Sequence, residues 1–305
     1  MLSTLKPLTA FVAVILAAWT TSASAQVVVS SKMDTEGGLL GNVISQVLQA
    51  HGIPVEEKIQ LGNTVILRNA ITAGEIDIYP EYTGNAAFFF DRPSDPLWND
   101  AALAYAEAAK LDDEANKIIW LQPAPANNTW TVAIRQDLAG ANGIVTFSDF
   151  GRWVMAGGQV KLIASPDFVN SPGALPAFEK TYGFTLTPEQ LVTITPGDTA
   201  ATIQAAAQQT SGVNTAMVYG TDGGINASGL VVLEDDKGVQ PVYEPAPIIR
   251  EVVLQQYPEI EGLLAPVFQK LDLATLQELN GRIQVGGETA QSVAVDWLQS
   301  NGLLQ

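Results

Sequence analysis

The stretch GEIDIYPEYTGN, residues 74–85, decides how this chain is read. Ile76 and Ile78 flank Asp77 in an alternating pattern that reads as a short strand. Pro80 interrupts it, with Tyr79 before it and Glu81, Tyr82, Thr83 and Gly84 in close succession after it. A strand that ends in a Pro-Gly bracket and carries two tyrosines reads as a loop delivering aromatic rings to one point.

Upstream, QVVVSSK (26–32) reads as a first strand. In TEGGLLGNVISQVLQAHG (35–52), Leu40, Val43, Ile44, Val47 and Leu48 share one helical face. PVEEKIQL (54–61) is a second strand. Gly62, Asn63 and Thr64 then offer an N-cap for the helix VILRNAITAG, which Gly74 closes. Strand–helix–strand–helix–strand at this spacing implies parallel strands with right-handed crossovers. Ligands of such sheets sit beyond the carboxyl ends of the strands. Lys32, residues 62–64 and residues 79–85 all follow strand ends, so three loops converge on one rim.

Downstream, AALAYAEAAKLDDEAN (101–116) reads as a solvent-facing helix. KIIWL and NNTWTVAI then bracket a proline-punctuated connection. A second alternating series follows in VKLIAS, PGALPAFEKTYG, QLVTIT, TAATIQAAAQQTSG, TAMVYG and GLVVLEDD. After the extended VQPVYEPAPIIRE (239–251) the chain finishes in helices. This pattern predicts two α/β lobes joined by two crossover segments, placed at 130–134 and 242–249. The first lobe is discontinuous, 26–130 with 243–305, and the second is 131–242. A cleft between such lobes is a natural ligand site.

Composition narrows the chemistry. Lys6, the uncharged apolar run PLTAFVAVILAAW and a closing Ala23-Ser24-Ala25 make residues 1–25 a secretory signal peptide, with the mature chain starting at Gln26. Its removal takes away one positive charge, so the net charge moves from −17 to −18. That acidity argues against nucleic acid and anionic membranes and mildly favours cationic ligands. Cysteine is absent, which excludes disulfides, thiolate metal sites and a cysteine nucleophile. The single histidine, His51, sits where a helix runs out, and no Gly-x-Ser-x-Gly elbow accompanies it. No cofactor is called for, and no catalytic constellation is recognisable. A periplasmic, unanchored protein fits these limits.

Tyr82, Trp130, Tyr219 and Tyr243 each fall at a strand end or a crossover, where the cleft is expected. Several rings around one point form a cage for a quaternary ammonium, which has no N–H to donate and binds ring faces instead.

The motifs SSKMDTE, IQLGNTVILRNAITAGEIDIYPEYTGN, NNTWTVAI, YGTDGG and YEPAPIIRE occur in this order. In that order the chain resembles the periplasmic substrate-binding proteins of osmoprotectant ABC transporters, which take up glycine betaine, choline and related quaternary amines. The resemblance implies a type II periplasmic binding fold, closure of the lobes over the ligand, a membrane permease as partner, a monomer, and no catalysis. Carried over residue by residue, it makes Tyr82, Trp130, Tyr219 and Tyr243 the cage. Trp130 stands where many relatives show tyrosine. Lys32 matches a basic position that meets a ligand carboxylate, and Asn85 stands where relatives often have threonine. Relatives often carry an arginine for that carboxylate after a PDF-like segment. Here SPDFVNSPGALPAFEKTYG offers Asn170 and Ser171 instead. A neutral amide does not replace a guanidinium fork, so weak carboxylate affinity is expected. Asp77, Glu81 and Asp222 read as structural acids. Two alternatives stand beside this reading. One keeps the fold with another small zwitterion as ligand; the other has the protein serve a sensor rather than a permease.

Overall fold

The structure, a computed structural model, describes residues 26–195 and 199–304. The expected signal peptide lies outside the described residues. The first sheet holds β1 (Val27–Lys32), β2 (Val55–Gly62), β3 (Ile78–Tyr82) and β4 (Ile118–Trp120). The second holds β5 (Trp130–Arg135), β6 (Leu162–Ala164), β7 (Leu191–Thr193), β8 (Thr215–Tyr219) and β9 (Leu230–Val232). The chain then returns to the first sheet as β10 (Pro245–Arg250). The orders are β2-β1-β3-β10-β4 and β7-β6-β8-β5-β9. In each sheet the strand that follows the change of sheet, β5 or β10, runs antiparallel to both its neighbours. The other pairings are parallel, as the strand–helix alternation requires.

The crossings differ from their expected positions. Residues 130–134 and 245–249 are ladder strands, so the chain passes between sheets at 121–129 and 233–244. Pro80 likewise does not end β3. It lies opposite Pro247 in the antiparallel ladder, while the parallel ladder to β1 stops at Ile78, so its missing N–H removes no ladder bond on that side.

Helix α1 (Thr35–Ala50) buries Leu39, Leu40, Val43, Ile44, Val47 and Leu48 against the first sheet. The C-terminal helices cover the same cluster with Ile260, Leu264, Phe268, Leu276 and Trp297. Asp34 caps α1 by accepting from Gly37 N at 2.7 Å. A Cβ at Gly37 would sit 2.6 Å from Lys32 O, so glycine is what lets the helix start so close to the end of β1. Helix α2 (Thr64–Ala73) is capped by Asn63 and closed by Gly74 in the left-handed region. On that second face of the sheet, Leu67, Ile71, Tyr79, Trp98 and Trp120 form a separate core. The second sheet has its own cores, one built on the stacked Phe147, Phe178 and Tyr182, the other on Ile203, Ala206 and Val218. His51 ends α1, its Nδ1 2.8 Å from Val47 O. No helix among the described residues is long and apolar enough to cross a membrane.

Candidate functional site

A cavity of about 660 Å³ opens between the two sheets, beyond the carboxyl ends of β1, β3 and β8. It falls in the size range of small-molecule sites. Tyr82, Trp130, Tyr219 and Tyr243 all line it, as do Lys32 and Asn85. Asn170 does not. It lies in the short helix 166–170 that Ser165 caps, where its amide turns back onto Pro166 O of its own first turn at 2.7 Å.

The rings are placed by the ladders and by the crossings. Trp130 and Tyr219 are cross-strand partners in the β5–β8 ladder, with centroids 6.2 Å apart and planes tilted by 39°. Phe168 supports Trp130 edge-on at 6.0 Å. On the other side, Thr83 Oγ1 donates to Val242 O at 2.9 Å and accepts from Glu244 N at 3.1 Å. That stitches the turn after β3 to the segment carrying Tyr243. Asn127 Oδ1 accepts from Tyr243 N at 2.8 Å, which joins the two crossings. Gly84 lies beneath the Tyr243 ring, where an added Cβ would stand 2.7 Å from Cε1. Burial holds the phenols of Tyr219 and Tyr243 above their ordinary pKa, so both remain neutral rings at physiological pH.

Lys32 and Asn85 reach the cavity wall but are held from behind it. Buried Glu81 accepts from Lys32 Nζ at 2.5 Å, from Asn85 Nδ2 at 2.7 Å, from Tyr82 N at 2.7 Å and from Tyr79 Oη at 2.9 Å. Glu81 is fully buried and the Lys32 side chain is 8% exposed, so this is a buried ion pair. Lys32 Nζ also lies 4.5 Å from the Tyr82 ring centroid and takes up one face of that ring. Asp77 and Asp222 act structurally, as read from the sequence. Asp77 pairs with Arg250 and accepts from Val28 N, and Asp222 accepts from Tyr219 N at 2.8 Å.

The cavity also holds groups that sequence reasoning did not single out. Glu36, in the first turn of α1, is buried at its base. Its Oε1 accepts from Tyr82 Oη at 2.7 Å and Asn128 Nδ2 at 3.1 Å, and its Oε2 from Asn280 Nδ2 at 2.7 Å. Desolvation raises its pKa, opposed by hydrogen bonds from Thr221, Tyr82 and Asn280. Five buried side-chain polar atoms lack a hydrogen-bond partner among the described residues, and four belong to residues lining this cavity. They are Asn128 Oδ1, Asn280 Oδ1, Thr129 Oγ1 and Trp130 Nε1, the last beside the Tyr219 hydroxyl. Buried polar groups are rarely left unpaired, so their concentration here marks a surface built to meet a ligand with polar groups of its own. Asn128 and Thr129 lie in NNTWTVAI and Glu36 in SSKMDTE, yet only tertiary packing brings them together.

Comparison with known proteins decides the family. Residues 25–300 match the substrate binding domain of ABC-type glycine betaine transport systems. The chain belongs to this family. It is 56% identical over 280 residues to the glycine betaine-binding protein YehZ of Escherichia coli, covering 92% of each chain. It superposes with a TM-score of 0.89 on the solved apo YehZ structure from Escherichia coli, at 55% identity, over 92% of this chain and all of that one. A glycine betaine/carnitine/choline ABC transporter structure matches at TM-score 0.80 and 20% identity, over 92% of this chain and all of that one. That second likeness speaks to the fold alone. The two-lobed α/β architecture is that of type II periplasmic binding proteins, and the family consists of substrate-binding transport proteins, not enzymes.

Proposed function

We propose that the chain delivers a small quaternary amine of the glycine betaine, choline or carnitine class to a membrane permease, holding the ammonium among Tyr82, Trp130, Tyr219 and Tyr243. The observation that carries this reading is the convergence of four neutral rings from β3, β5, β8 and the returning crossing on one cavity. Each ring face contributes roughly 0.5–2 kcal/mol to a bound cation, whereas micromolar affinity requires about 8 kcal/mol. Polar contacts and lobe closure must therefore supply the rest.

Thr129 Oγ1 and Trp130 Nε1 are buried donors in the cavity wall, and they serve a carboxylate or hydroxyl on the ligand. With Lys32 paired to Glu81 and no arginine among the lining residues, a carboxylate meets no uncompensated cation. Glycine betaine accordingly binds weakly. The lobes divide close to residues 130 and 243, with Trp130 opening the first strand of the second lobe, and hinge motion falls at the crossings. The protein works as an exported monomer freed of residues 1–25.

Titration calorimetry with glycine betaine, choline, carnitine and proline betaine tests the assignment. Heat with at least one quaternary amine supports it, and silence from all four at millimolar concentration overturns it. Small-angle scattering that shows compaction at saturating ligand supports the closure.

A further inference from the structure

Glu36 is a buried carboxylate whose hydrogen-bond donors are all neutral, and it gathers five segments of the chain at one point. It starts α1. Tyr82 reaches it from β3, Asn128 from the first crossing, Asn280 from the helix α12 (Leu273–Gln284, taking the helices in chain order), and Thr221 from the loop after β8. That loop is fixed to the same helix. Gln277 Nε2 donates to Gly220 O at 2.7 Å, Asn280 Nδ2 to Thr221 O at 2.9 Å, and a Cβ at Gly223 would stand 2.4 Å from Asn280 C. Glu36 therefore sits where parts of the molecule built on both sheets meet.

The charges around it are unbalanced. Asp34, the cap of its own helix, and Asp222 on the facing loop are acidic, and Lys32 behind the Tyr82 ring is neutralised by Glu81. A buried charge is normally paired. Here the side open to a positive partner is the cavity. A phenol that donates to a carboxylate is also more electron-rich than a free one, so the Tyr82 face gains attraction for a cation from the same bond.

We infer that Glu36 is a positioning residue for cation capture: its carboxylate fixes and polarises the Tyr82 ring, ties the two sides of the cleft together, and is held ionised by the bound ammonium. This rests on the quaternary-amine reading above. Where Glu36 is protonated beforehand, binding converts its carboxylic acid to carboxylate and releases that proton to solvent.

The test is calorimetric titration of the full chain with choline, across pH and in buffers of different ionisation enthalpy. As pH falls below the pKa of Glu36, the wild-type affinity drops by about tenfold per pH unit, and proton release rises towards one per ligand. Glu36→Gln, folded as judged by its thermal transition, binds choline about tenfold or more weakly at neutral pH, and its affinity is flat through the same window. Glu36→Asp recovers part of the pH dependence. A wild type with no proton release and a flat profile overturns the inference without any variant. So does a Glu36→Gln protein with the wild-type affinity and profile. A wild type that binds no quaternary amine at any pH strikes the functional reading itself, and this inference with it.

Discussion

Trp130 and Tyr219 face each other across the β5–β8 ladder, ring centroids 6.2 Å apart, with Tyr219 40% exposed towards the cleft and Trp130 braced by Phe168. Cross-strand pairing fixes their spacing, so the second side of the site presents two rings on a rigid element rather than on a loop.

Replacing either ring with leucine keeps apolar bulk and removes the π face. Trp130→Leu and Tyr219→Leu should each weaken binding of a quaternary amine by roughly 0.5–2 kcal/mol, about two- to thirtyfold. Tyr105 is the control. It lies in α4 (Ala101–Asn116), donates to Trp120 O at 3.1 Å, and is not a cavity residue. Titrations should show Tyr105→Leu at wild-type affinity. An equal loss in all three folded variants would mean that the rings are not the cage.

Gly84→Ala probes the opposite side. The added methyl would overlap the Tyr243 ring, so either the ring moves or the turn after β3 does. Affinity should fall by about the same factor as in Tyr243→Leu, and the two changes combined should lose much less than the product of the single effects. Full additivity would separate Gly84 from the ring.

Lys32, read from the sequence as a carboxylate contact, lines the cavity and is paired with Glu81. Lys32→Met leaves Glu81 buried without its cation and should destabilise the fold by about 3–5 kcal/mol in denaturant titrations. A loss below about 1 kcal/mol would show that Glu81 finds other compensation.

How far the sequence carries differs between fold and site, for physical reasons. Apolar periodicity, the Asn63 cap, the Gly74 stop and the alternation of strand and helix were all readable, because each is local. The return crossing is displaced because a proline-rich strand looks like a connection. Pro245, Pro247 and Pro80 sit in ladder positions that only the strand order makes permissible. The four rings were readable from their places at strand ends. Glu36 was not, since an acid in the first turn of a helix is the ordinary complement to the helix dipole. Its role depends on Asn128, Thr221 and Asn280, which lie far from it in the sequence. Asn170 is not among the lining residues, because which way a short helix turns its side chain is not a local property of the sequence.

The raised pKa of Glu36 gives stability a pH signature. Its folded value lies above the ordinary glutamate value, so the folded state holds the proton more tightly than the unfolded chain does. The stabilisation is fully present below the ordinary value and is lost as pH rises through the folded one. Glu36→Gln lacks this component. The difference in thermal midpoint between variant and wild type, taken without ligand, should shift in the variant's favour as pH rises from acid to neutral. A constant difference would place the Glu36 pKa at its ordinary value.

The central claim is that the cavity reads positive charge through ring faces. The direct measurement is paired calorimetric titration with choline and with dimethylbutanol, its neutral carbon isostere of nearly the same shape. Binding of choline with at least about tenfold preference over the isostere is the predicted result. Equal affinity for the two would show that the rings recognise shape and apolar surface alone, and would contradict the account.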